Sequence, residues 1–214
     1  MAISSAPIER PRLRGCLHLA AAVVMFAGLV WLLVAAPTHR SLAVGAVYGL
    51  TAVALYTTSA TYHMFAGSDR ARSLMQRLDH AMIYLLIAGT YTPIAVLAVP
   101  NPWRWPSLAL MWSGAIAGVV LGLQHPRFRR SAAALYIVLG WAGLMALPGL
   151  LGRPGLLLLV AIGGLTYTVG AALFAAGWPR RSARWFGYHE LWHALGIAAG
   201  AVVFAANLGL VRGG

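Results

Sequence analysis

His189 and His193 stand four residues apart in the string His189-Glu190-Leu191-Trp192-His193. On a helix this spacing stacks two imidazoles on one face, about 6 Å apart, a separation that suits two ligands of one metal ion. Ser59 and His63 repeat the spacing earlier in the chain. Neutral imidazole suits zinc, and three histidines drawn from two helices leave a fourth tetrahedral position for water, as in catalytic zinc sites. Asp79 is a carboxylate able to hold or deprotonate that water. The string at 189–193 also matches H-E-x-x-H, in which two histidines bind zinc and the glutamate is the general base. The residues thus predict one Zn2+ per chain on His63, His189 and His193, with two carboxylates competing for the role of base.

Such groups need elements to hold them at one depth. The chain has 214 residues, 60% apolar and 9% charged, against roughly 25% charged in soluble globular domains. A water-soluble surface cannot be made from that composition. The expectation is an all-α membrane protein, a seven-transmembrane helix bundle forming one domain over 1–214, with 1–16 as a cytoplasmic segment. A bilayer core about 30 Å thick needs roughly 20 apolar residues per helix. Seven such runs lie near 17–36, 41–65, 78–99, 107–123, 131–151, 155–177 and 188–210, separated by short segments rich in Pro, Arg, Gly and Asn. The first run exceeds the 7–15 apolar residues usual in a signal peptide, so it reads as an uncleaved span.

All sixteen basic residues are arginine. Arg10, Arg12, Arg14, Arg70, Arg72, Arg77, Arg127, Arg129, Arg130, Arg180, Arg181 and Arg184 fall on one side of the alternating spans. Only Arg40, Arg104, Arg153 and Arg212 fall on the other. By the positive-inside rule the N-terminus is cytoplasmic and the C-terminus outside. The formal charge of +12 is spread between apolar runs rather than clustered as a phosphate-binding footprint, so no nucleic-acid partner is expected. With Cys16 as the only cysteine, neither an intrachain disulfide nor a cysteine-based metal site can form. Trp103, Trp105, Trp178 and Trp185 sit where interfacial aromatic belts are expected.

On this map His63 lies near the cytoplasmic end of the second span. Asp79 and His80 open the third, and His189, Glu190 and His193 open the seventh at the same face. Ionisable groups inside spans are costly and usually mark function. His18, His80 and His125 lie near the same boundary, where an interfacial histidine is ordinarily solvated or caps a helix, and they are assigned no role. A serine in a span commonly bonds its own helix backbone, which weighs against Ser59. Gly163-Gly164 and the run from Gly196 to Gly200 are read as places where helices approach closely.

Four strings carry a family resemblance: Ser59-Ala-Thr-Tyr-His63, Leu78-Asp79-His80-Ala-Met-Ile-Tyr84, Ala88-Gly89-Thr90-Tyr91-Thr92-Pro93 and the 189–193 string. The chain resembles the hemolysin III proteins, which group with the progestin and adipoQ receptors and, more distantly, the alkaline ceramidases. The resemblance implies a seven-helix bundle in a bacterial inner (plasma) membrane, with zinc held near the cytoplasmic face by His63, His189 and His193. It also implies an aspartate and a serine beside the zinc-bound water, at Asp79 and Ser59. On that ground Asp79 is preferred to Glu190 as the acid/base, and Glu190 is expected to reach the cytoplasmic interface.

The leading functional expectation is a zinc-dependent hydrolase acting on an amide or ester of a membrane lipid. A non-enzymatic regulator, receptor or channel, in which zinc merely clamps the second and seventh spans, is the alternative. The discriminating feature is coordination, because a structural zinc usually has four protein ligands whereas a catalytic one keeps an open position. An intramembrane metalloprotease follows from H-E-x-x-H alone and is a minor third reading. In such proteases the motif lies early, with an aspartate ligand on a later span, whereas here the motif is on the last.

Overall fold

The computed structural model describes residues 13–124, 129–179 and 187–214, with side chains at 15–123, 135–179 and 187–214. The regular elements among them are helical. They are α1 (Leu13–Ala35), α2 (His39–Phe65), α3 (Asp69–Leu97), α4 (Arg104–Gln124), α5 (Arg129–Ala142), α6 (Pro154–Ala176) and α7 (Tyr188–Gly213). All but α5 are long and apolar enough to cross a bilayer. Val23, Val24, Phe26 and Val34 of α1 project outward, a surface that only lipid solvates well. The protein is a multi-pass helical membrane protein.

Side-chain caps and a left-handed glycine mark several helix ends. At the start of α2, Thr38 accepts from the Ser41 amide while the Ser41 hydroxyl accepts from the Thr38 amide, both at 3.1 Å. These reciprocal bonds satisfy two orphan donors of the first turn. Gly177 ends α6 at φ +63°, a left-handed conformation that favours glycine. The carbonyls at the end of α3 are met by arginine. Arg40 donates to the Val96 oxygen at 2.6 Å and Arg104 to the Val99 oxygen at 3.0 Å. These two exceptions to the arginine asymmetry therefore have a local task, since cations favour helix C-termini.

Two elements depart from the sequence reading. Helix α3 begins at Asp69 rather than near 78, because Ser68 caps it by accepting from the Ala71 amide at 3.2 Å and the polar stretch after it is helical. Asp79 and His80 therefore do not open the helix. Asp79 lies ten residues after Asp69, about 15 Å along the axis at 1.5 Å per residue. The fifth span is not one helix. After Ala142 the chain tightens into a 3₁₀ turn, Gly143–Ala146, and a helical turn, Leu147–Leu150. Pro148 has no N–H for the Leu144 carbonyl, which accepts from the Leu147 amide instead. Gly149 seats this turn on the end of α3, where a Cβ would lie 2.9 Å from the Val99 Cα and would also meet the Ala98 carbonyl.

Helices α1 to α4 pack each on the next, and α7 lies against α6 and also α1, α2 and α3. One core cluster joins α1, α2, α3 and α7 through residues such as Met25, Tyr48, Tyr56, Leu86 and Val211. A second joins α3, α4 and α5 through Tyr84, Ala88, Met111 and Leu139. Helix α3 thus serves both. With lipid outside, close packing rather than exclusion of water holds these faces together. Gly163 allows the approach of α7, since a Cβ there would run into Val203, whereas Gly164 faces open space.

Candidate metal centre

Alternation of the helices puts the end of α2 and the start of α7 at the same end of the bundle. His63 is in the last turn of α2, and His189 and His193 are in the first two turns of α7. Their rings meet at centroid separations of 5.3 Å (His63–His189), 5.0 Å (His63–His193) and 4.6 Å (His189–His193). One ring nitrogen from each lies within 4.8 Å of the other two. Tetrahedral zinc with bonds of about 2.0–2.1 Å needs nitrogens about 3.3 Å apart. Closing the remaining gap takes only small side-chain rotations, so the donor set fits zinc. The Tyr62 ring lies tilted against His63 at 4.6 Å and Phe174 of α6 packs on His189 at 5.4 Å. These rings restrict the imidazoles' rotation.

Ser59 is one turn before His63 and 1% exposed. Several threonines of these helices return their hydroxyls to the carbonyl four residues back, as Thr51 does to Val47, Thr92 to Ala88 and Thr166 to Ile162. Ser59 does not. Its hydroxyl has no hydrogen-bond partner of good geometry, although it faces the Asp79 carboxyl on α3. The expectation that it bonds its own backbone is therefore not met. Tyr136 of α5 donates to the His80 carbonyl at 3.2 Å. Its ring packs 4.4 Å from that of Tyr84. The structure thus joins His63, His189 and His193 in one cluster and places Asp79 against Ser59, on the flank of α2 that leads to His63.

Two other groups sit differently from the sequence reading. Glu190 does not reach an interface: it is 1% exposed, because it shares the inward face of α7 with His193, three residues on. His18 is not solvated either. It is 6% exposed, and its ring meets that of His193 edge-on, with centroids 4.1 Å apart. The signal that would have found it is the stripe His18, Ala22, Met25, Leu29 and Leu32, the buried face of α1 at helical spacing. The neighbouring positions carry Val, Phe and Trp and face outward. His125, Trp185 and the arginines at 10, 12, 127, 180, 181 and 184 lie outside the described residues, as do the side chains of Arg14, Arg129 and Arg130.

Comparison with known proteins gives a consistent picture. The profile of the family described as "Haemolysin-III related" matches residues 7–204. "Hemolysin-3" of Bacillus cereus is 32% identical over 194 residues, covering 87% of this chain and 85% of that protein. A "Hemolysin-3 homolog" of Bacillus subtilis (strain 168) is 28% identical over 162 residues, covering 74% and 72%.

Proposed function

The chain belongs to the haemolysin-III related family, and from that premise we propose that it is a zinc-dependent hydrolase of a membrane lipid amide or ester. The observation that carries this is the three-imidazole cluster, with nitrogens within 4.8 Å, beside the buried Ser59 and the half-buried Asp79. Bound zinc would supply Lewis acidity, polarising a carbonyl and lowering the pKa of water toward about 7. His63, His189 and His193 would hold it. The Asp79 carboxylate takes the proton of the attacking water and returns it to the leaving amine or alcohol as the acyl C–N or C–O bond breaks, while the Ser59 hydroxyl donates a hydrogen bond to oxygen at the reacting centre. A substrate with acyl chains fits a site set among apolar spans.

The same reading puts residues 1–214 in one unit, with the N-terminus and the metal site toward the cytoplasm and the C-terminus outside. It puts the protein in a bacterial inner membrane. Arginine asymmetry supports the orientation. The competing reading is a zinc clamp between α2 and α7 with no open position, favoured by the fourth imidazole, His18, beside His193.

The test is elemental analysis of the purified protein together with release of fatty acid from ceramide-like amides and from phospholipid esters in mixed micelles. The expected result is one zinc per chain and a turnover that stops on chelation and in Asp79→Asn. Stoichiometric zinc with no turnover of either class, and no exogenous ligand on the metal, would favour the clamp.

A further inference from the structure

Gly196 and Gly200 of α7 seat side chains rather than a helix backbone. Tyr167 of α6 lies along them: a Cβ at Gly196 would sit 3.9 Å from its ring, and one at Gly200 would sit 3.4 Å from its hydroxyl and run into the hydroxyl of Tyr56 of α2. Two phenol oxygens from different helices thus converge on the bare backbone of a third. Helices α2 and α6 have no backbone contact of their own, so the pair closes no helix–helix seam. No described residue hydrogen-bonds either hydroxyl. Two turns further along α7, Asn207 is fully buried with neither amide atom in a hydrogen bond of good geometry, although it faces the Tyr48 hydroxyl on α2. The inward face of the bundle therefore stays polar well beyond the metal site, where packing alone would be served by phenylalanine and leucine.

Register sets the depth of the tyrosine pair. Tyr56 and His63 are seven residues apart on α2, as are His193 and Gly200 on α7, and seven residues are two turns, about 10 Å. Both helices therefore put the pair about 10 Å deeper among the spans than the metal ligands, and Tyr56 shares its face of α2 with Ser59 and His63. A lipid with its carbonyl at the metal would run an acyl chain past Tyr56 and Tyr167. A plain chain would leave both hydroxyls unpaired, whereas a chain hydroxyl, one donor and two acceptor sites, can bond to each of them. We propose that Tyr56 and Tyr167, over Gly200, form a subsite for a hydroxyl on the acyl chain about 10 Å from the scissile carbonyl, so that amides or esters of mid-chain hydroxy acids are the preferred substrates. This inference rests on the lipid-hydrolase reading for the bond that is cut and narrows the class of substrate.

Two measurements on the full chain in detergent test this. In the first, which needs no turnover, stearic acid and 10-hydroxystearic acid compete with a fluorescent fatty acid for the protein. Wild type is expected to bind the hydroxy acid about 10- to 100-fold more tightly, the worth of one or two hydrogen bonds. Tyr56→Phe and Tyr167→Phe keep the rings and remove only the hydroxyls, and each is expected to reduce that ratio by about 10-fold. In the second, the same two chains are offered as amides and as esters, and kcat/KM is expected to show the same preference and the same loss of it. Equal binding of the two acids by wild type, or a preference that survives in both variants, would overturn the proposal. Binding preference lost in the variants, with no turnover of any substrate, would sustain the subsite and overturn the hydrolase reading alone. Turnover without preference for the hydroxylated chain would leave the hydrolase and overturn the subsite.

Discussion

Replacing His193 with alanine should uncouple the stability of the bundle from zinc. Structural zinc sites with four ligands bind with about 10–16 kcal/mol, or roughly 3 kcal/mol per ligand. Losing one of three histidines then weakens zinc by on the order of 10²-fold, at 1.4 kcal/mol per decade. The ion would tie α2 to α7, the helices that carry the three rings, so its binding energy acts on the folded state. At free zinc 100-fold above Kd the stabilisation is about 2.7 kcal/mol. After a 10²-fold loss of affinity the same zinc concentration equals Kd, and the stabilisation falls to about 0.4 kcal/mol. The assay is thermal unfolding in detergent with added zinc or chelator, on wild type and His193→Ala. A wild-type midpoint that rises with zinc, and a variant midpoint that barely responds, is expected. Equal responses in the two proteins would refute the reasoning, as would stoichiometric zinc in a His189→Ala/His193→Ala double variant.

Asp79→Asn should retain zinc yet lower hydrolysis by about 10²- to 10⁴-fold, with Glu190→Gln milder; the reverse ranking in a fatty-acid release assay would favour protease-like chemistry. Reporter fusions at Gly67 should report a cytoplasmic position, and a signal from the opposite side would move the metal site to the other leaflet. Gly149→Ala, where the new Cβ would meet the backbone of Ala98 and Val99, should cost about 1–3 kcal/mol by overpacking. Gly164→Ala, which meets nothing, should unfold close to wild type, and equal midpoints for the two would mean the turn is not seated on α3.

Axial position was legible in the sequence because arginines and apolar runs mark it directly. That was enough to bring His63, His189 and His193 to one end of the bundle. It was not enough for α3, whose first turns carry Arg70, Arg72 and Arg77 and read as a loop on apolarity alone. A capping serine and a polar helical extension were needed to see that Asp79 sits well inside the helix. The break within the fifth span was hidden for a related reason. Apolarity continues through Gly143 and Pro148, so composition registers one run where the backbone forms a helix, a 3₁₀ turn and a further helical turn.

Rotation about a helix axis is the harder quantity, and the two misplaced side chains, Glu190 and His18, turn on it. In a soluble helix the polar face declares itself, but α1 is apolar all round and lipid accepts any of its faces. The hint lay in residue shape: the bulky Val, Phe and Trp positions face lipid while His18, Ala22 and Met25 pack inward. Burial of His18 and Glu190 on helices that touch one another adds an imidazole and a carboxylate to the end of the bundle already holding three histidines. A site meant only to clamp two helices has no need of Ser59, left without a bond to its own backbone, or of Asp79 facing it from a third helix. On the proposed reading those two groups would serve a substrate's reacting oxygen and a departing proton, and that surplus of polar chemistry favours hydrolysis over clamping.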